Sequence, residues 1–191
     1  MGKVFSAFNL TKALCNEKYD LVLNVGTAGT LNHNVGDIFV CHRFIDRDME
    51  KITFPKVCSD ISFPEKVGID LIDNYNKIGV CNTGDSFVTE VGHFNGDVID
   101  MEAFAQAQIC KEMNINFVSV KYITDIIGQN SGEIWLDKLR DAREALKVFL
   151  LVSGIIPIVL YAGYELAGST YEYSWYAIGF MLMPWISTYV R

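Results

Sequence analysis

Residues 97–110 read "DVIDMEAFAQAQIC", and the fold turns on how they are parsed. Val98 and Ile99 are a β-branched pair of the kind that fills a strand, while from Met101 to Cys110 the apolar residues recur at mostly helical spacing. A strand therefore hands over to a helix within a few residues. Asp100 and Glu102 stand at that junction, where core packing has no use for two carboxylates. One of them, Asp100, suits the backbone donors at a helix start. The other, Glu102, is then free to face a ligand.

Outward from this point the alternation continues in both directions. "MGKVFSAFNLTKALCNE" (1–17) carries Val4, Ala7, Phe8, Ala13 and Leu14 at helical spacing. "YDLVLNVG" (19–26), "GDIFVCHRFI" (36–45), "KIGVCNTG" (77–84) and "NFVSVKYITD" (116–125) are short, β-branched or apolar runs and read as strands. "GEIWLDKLRDAREALKVF" (132–149) places Ile134, Leu139, Ala142 and Leu146 on one side of a helix. Strands alternating with helices predict an α/β sheet covered on both faces. In such sheets ligands sit beyond the carboxyl ends of the strands. Four segments fall there: "GTAG" (26–29), "GDSF" (84–87), "DME" (100–102) and "TD" (124–125).

Composition limits what this site can bind. The 191 residues suffice for one domain with a sizeable core, and the formal net charge of −7 excludes a nucleic-acid partner, which needs clustered Lys and Arg. A small neutral or basic ligand fits better. The five cysteines are scattered and odd in number, and the three histidines have no ligand spacing, so neither a disulfide framework nor a metal site is signalled. A reduced, cytoplasmic setting is expected, with no cofactor.

The carboxy-terminal quarter is different in kind. No charged residue occurs from Val148 to Tyr164 or from Tyr173 to Val190, runs of 17 and 18 residues at the lower edge of a helical membrane span. Arg140, Arg143 and Lys147 precede the first run as the positive-inside rule would have it. These features predict a boundary near Lys147, with an α/β domain over 1–147 and a hydrophobic segment over 148–191. That segment reads as a transmembrane helical hairpin, giving membrane association through 148–190, or as a buried helix pair.

Taken in order, "GKVFSA", "NVGTAGTLNHNVGDIFV", "NTGDSFV", "VIDMEAFAQAQIC" and "FVSVKYITD" resemble the nucleosidase branch of the purine nucleoside phosphorylase superfamily, in particular the 5'-methylthioadenosine/S-adenosylhomocysteine nucleosidases. The resemblance implies a three-layer α/β/α fold whose twisted mixed sheet partly closes into a barrel. It also implies a homodimer, and release of adenine by hydrolysis of an N-glycosidic bond in methionine salvage and nucleoside catabolism. Asp125 falls at the position of the general acid that protonates the departing purine, with apolar neighbours to raise its pKa and Thr124 to orient it. Glu102 falls at the ribose-binding carboxylate, and Met101 would pack on the ribose. Phe87 corresponds to the ring that stacks on adenine, Val88 to the backbone that reads the base edge, and Trp135 to an aromatic of the 5'-alkylthio pocket. Thr27, Ala28 and Gly29 form the glycine turn of the same pocket.

Phosphorylases of the superfamily hold phosphate with an arginine two residues before the first glycine of that turn. Here the residue is Asn24, which predicts a pocket without a fixed cation and favours water over phosphate as the nucleophile. The segment "FIDRDMEKITFP" (44–55) corresponds to a loop that closes the neighbouring subunit's pocket, and reads equally well as a solvated charged loop. The family's first two strands, and a water-activating glutamate between them, have no counterpart ahead of Met1. The expectation is a truncated domain whose exposed strand edge needs cover, for which the hydrophobic carboxy-terminal segment is one source. A catalytically impaired adenosine-binding module, a phosphate-dependent phosphorylase and a membrane-associated relic are the competing readings.

Overall fold

The apolar runs of the sequence become regular elements in the computed structural model, which describes residues 2–50, 57–129, 131–153 and 186–190, the last as backbone only. In chain order these are α1 (Lys3–Asn16), β1 (Leu21–Thr30), β2 (Ile38–Asp46), β3 (Asp60–Ser62), α2 (Asp70–Asp73), β4 (Ile78–Thr83), β5 (Val98–Asp100), α3 (Ala103–Glu112), β6 (Asn116–Ile126), α4 (Ser131–Val152) and β7 (Ile186–Val190). Only β3, α2 and β7 were not expected. The first two span three and four residues, too few to show a period.

The strands form one mixed sheet in the order β3-β2-β4-β5-β1-β6. β1 and β6 run parallel from Leu21 opposite Asn116 to Thr30 opposite Ile126, and β4 is parallel to both β2 and β5. An antiparallel pairing of β2 with β6, Ile38 opposite Tyr122 to Cys41 opposite Ser119, closes the order into a barrel. The expected mixed, partly closed sheet is present.

Period-two alternation divides the core between the two faces. Val22, Phe117 and Ile123 pack with Leu10 and Leu14 of α1 and with Phe104, Ala107 and Cys110 of α3. Leu21, Leu23, Val25, Val118 and Val120 pack with Ala142, Leu146, Phe149 and Leu150 of α4. Helices thus cover both faces, the three-layer arrangement.

The carboxy-terminal expectation needs correction. The boundary placed at Lys147 lies inside α4, whose continuation buries Phe149 and Leu150 in the domain core. No helix among the described residues is long and apolar enough to cross a membrane. Residues 154–185 of the expected hairpin lie outside the described residues. Its described end, Ile186–Val190, is a strand and not a helix: it pairs antiparallel with β1, Val190 opposite Leu21 to Ile186 opposite Val25. This β1 edge is therefore occupied over five residues.

Two local features aim the site. Gly29 of β1 pairs with Ile99 of β5, which sets the glycine turn beside the "DME" junction. On its other side β1 pairs with β6 through a bulge: Ala28 faces Ile123 and Gly29 faces Asp125, so that Thr124 is left without an opposite residue. Such an extra residue re-aims its neighbour.

Candidate active site

Where β1, β4, β5 and β6 end, a cavity opens. Thr27, Ala28 and Gly29 line it from β1, Phe87 and Val88 from the segment after β4, Met101 and Glu102 from the β5–α3 junction, Asp125 from β6 and Trp135 from α4. Thr124 does not line it. Its hydroxyl lies instead behind Asp125, 2.9 Å from Oδ1. The site residues expected from sequence are thus brought together around one cavity.

Asp125 is almost fully buried and stands over Gly29. A Cβ at position 29 would lie 3.0 Å from Asp125 Oδ2 and 3.4 Å from Ile127 Cγ1, so the glycine makes room for the carboxylate. Across the cavity, Phe87 and Trp135 meet edge to face, ring centroids 6.3 Å apart. The Trp135 indole N–H donates to Thr27 Oγ1 at 3.3 Å, tying α4 to the glycine turn. Phe87 is 44% exposed, which leaves part of its ring open to the cavity.

The two carboxylates at the α3 start differ sharply. Asp100 accepts from Ala103 N at 2.9 Å and Lys121 Nζ at 2.8 Å on Oδ2, and from the Thr83 hydroxyl on Oδ1. The Thr83 oxygen in turn accepts from Phe104 N, so the first α3 amides are capped from two strands. Burial pushes the Asp100 pKa up, but Lys121 and these donors outweigh it and hold the group below the usual carboxylate value. Glu102 makes no ion pair among the described residues. Burial, reinforced by the Asp100 charge, raises its pKa to about 7 against the pull of Lys121 and of the Gly2 amide, which donates to Oε1 at 2.8 Å. Asp100 is a fixed anion and Glu102 a switchable one.

Two cations escaped the sequence reading. Lys121 carried a usable signal, since a lone lysine in the apolar strand "FVSVKYITD" must find a buried acid. Arg47 carried none, because "IDRDME" (45–50) reads as a solvated turn. The expected absence of a fixed cation is corrected here: Arg47 lines the cavity. Its terminal nitrogens are fully engaged, however. Nη1 donates to the carbonyls of Asn82 (3.2 Å) and Asp100 (2.9 Å), and Nη2 to those of Gly84 (3.2 Å) and Ser86. Its Nε is buried. No fork is left for an anion. Asn24 also points elsewhere, donating to Gln106 Oε1 at 2.9 Å and accepting from Ser119 at 2.7 Å within the core.

The rest of the charged segment is less solvated than its sequence suggests. Lys3 Nζ reaches both Asp46 oxygens at 3.1 Å and Asp48 Oδ2 at 2.7 Å, which moors residues 46–48 to α1. Residues 51–55, the remainder of the expected loop, lie outside the described residues.

Residues 1–156 match the family model of the phosphorylase superfamily. The chain belongs to that superfamily. A 5'-methylthioadenosine/S-adenosylhomocysteine nucleosidase of Bacillus velezensis is 30% identical over 162 residues, 72% of this chain and 70% of the relative. Among solved structures, the apo 5'-methylthioadenosine nucleosidase of Arabidopsis thaliana superposes with a TM-score of 0.70 at 22% identity, covering 83% of this chain and 69% of that one. The futalosine hydrolase of Helicobacter pylori also superposes at 0.70, with 20% identity and coverage of 80% and 75%. These structural likenesses concern the fold of a superfamily that supports more than one nucleoside substrate.

Proposed function

We propose that this chain is a purine nucleosidase that hydrolyses the N-glycosidic bond of 5'-methylthioadenosine- and S-adenosylhomocysteine-type nucleosides and releases adenine. The observation that carries the reading is the convergence of Asp125, Glu102 and the exposed Phe87 ring on one cavity, in a chain about 30% identical to nucleosidases of that specificity. Adenine stacks on Phe87 with its edge read by the Val88 backbone. The ribose lies on Met101 with its vicinal hydroxyls on Glu102, and the 5' substituent runs toward Trp135.

In this pose Asp125 donates a proton to N7 of the purine as the glycosidic bond breaks and its electron pair leaves with the base. Positive charge builds on the sugar, and the ionised Glu102 beside the 2'- and 3'-hydroxyls stabilises it. Water adds to the anomeric carbon, and the proton it releases restores the acid. The saturated Arg47 fork and the inward-turned Asn24 support water over phosphate as nucleophile. The proposed assembly is a homodimer, for which the exposed Val4, Phe5 and Phe8 of α1 offer an apolar surface.

Chromatographic assay of adenine from 5'-methylthioadenosine, S-adenosylhomocysteine and futalosine, with and without inorganic phosphate, tests the reading. Phosphate-independent release of adenine from the first two, abolished by Asp125→Asn, is the expected result. Strict phosphate dependence, or undiminished turnover in the variant, overturns it.

A further inference from the structure

The adenine side of the cavity is built on a segment with little structure of its own. Between the end of β4 at Thr83 and the start of β5 at Val98 there is no helix or strand, yet Phe87 and Val88 must be held to a fraction of an ångström to serve a ligand. Arg47 supplies the hold. It reaches from beyond β2 and hydrogen-bonds four main-chain carbonyls at once: Asn82, Gly84 and Ser86 on the base side, and Asp100 beside Glu102 on the ribose side. The Gly84 amide donates to the same Asp100 carbonyl at 3.2 Å, and Asp48, the next residue after Arg47, accepts from the Asp85 amide at 3.0 Å.

Gly84 is shaped to this bracket. A Cβ there would lie 2.5 Å from Arg47 Nε and 2.6 Å from Cγ and Cζ, so the guanidinium occupies the space that any side chain at position 84 would take. A lysine cannot substitute, because one ammonium with three donors cannot span four carbonyls on two segments. We propose that Arg47 is a positioning residue that clamps the 82–86 segment to Asp100 and so sets the distance between the base platform and the ribose carboxylate, with Gly84 as its obligatory seat. The assignment of base and ribose sides rests on the nucleosidase reading; the clamp itself does not.

Three variants test it: Arg47→Lys, Gly84→Ala, and the two combined. In hydrogen exchange, the amides of Gly84 and Asp85 should exchange at least tenfold faster in each variant, while β1 and β6 keep their protection. By calorimetry, adenine affinity should fall tenfold or more and that for 5-methylthioribose less than threefold. With 5'-methylthioadenosine, KM should rise with kcat changed less than threefold, the pattern of lost uniform binding. Because both single changes remove one clamp, the double variant should be no worse than either. Unchanged exchange at 84–85, or full additivity of the two substitutions, overturns the clamp. Equal losses of adenine and methylthioribose affinity overturn its selective role. If wild type releases no adenine while the exchange result holds, the nucleosidase reading fails and the clamp stands.

Discussion

Lys121 Nζ lies 2.8 Å from Asp100 Oδ2, an ion pair closed off from solvent with side chains 3% and 1% exposed. The pair ties the middle of β6 to the end of β5, and its charges hold each other: Lys121 keeps Asp100 ionised, and Asp100 raises the Lys121 pKa against burial. Removing one partner would strand the other. Lys121→Met should therefore cost about 3–5 kcal/mol, the usual consequence of leaving a buried charge unpaired, and Lys121→Met combined with Asp100→Leu should recover part of it. Urea denaturation of the two variants measures both numbers, and a Lys121→Met variant as stable as wild type would rule the pair out as a structural element.

Glu102 predicts a pH dependence of opposite sign to that of an ordinary surface carboxylate. Its folded pKa of about 7 stands above the ordinary glutamate value of 4.5, so between these values the folded state holds a proton that the unfolded state has released. Stability contributed by this group is then present below about 4.5 and falls as pH rises toward 7. Glu102→Gln, neutral at all pH, should raise Tm at pH 8 and leave it nearly unchanged at pH 4.5. Turnover moves the other way. If the ionised carboxylate serves the ribose, kcat/KM for 5'-methylthioadenosine should climb with pH through an inflection near 7, and an inflection below 5 would place the working ionisation elsewhere.

Gly29→Ala probes the acid without touching its chemistry. The added methyl would meet Asp125 Oδ2 at 3.0 Å, tighter than ordinary packing, and the carboxylate must turn away from its place over the cavity. A tenfold or greater loss of kcat with a Tm change of only a few degrees is expected. Retained kcat would show that Asp125 is free to shift without consequence.

How much of this could be read from the chain depends on how far each signal reaches along it. The long strands and α1, α3 and α4 announce themselves by period, and "GDSF" and "DME" by lying at strand ends, whereas the glycine turn and "TD", expected just past strands, lie within the last residues of β1 and β6. Thr27, Phe87, Glu102 and Asp125 could be named before any coordinate because these segments, in this order, resemble the nucleosidase motifs. The role of Arg47 could not, because it depends on carbonyls 35 to 53 residues away in sequence. The start of the carboxy-terminal run reads two ways for a related reason. An uncharged helix end that buries Phe149 and Leu150 in a sheet core has the same composition as the start of a membrane span.

His42 supplies the last test. It sits on β2, 4% exposed, with both ring nitrogens shut away from solvent. Burial lowers its pKa below 6.5, although Glu65, the Pro64 main chain and Asp73 pull it up. The imidazole is therefore held neutral in the fold and protonates first in the unfolded chain. Its contribution is complete above the unfolded value and is lost as pH falls below about 6.5, toward the lower folded value. Glu102 acts with the opposite sign over much of the same window, so the wild-type curve alone blends the two. The difference curve separates them: in a Glu102→Gln background, His42→Leu should flatten the decline in stability between pH 6.5 and 5, measured by urea denaturation at half-unit steps. A decline of the same slope with and without the imidazole would mean that His42 protonates equally easily in both states, and that burial alone does not keep it neutral.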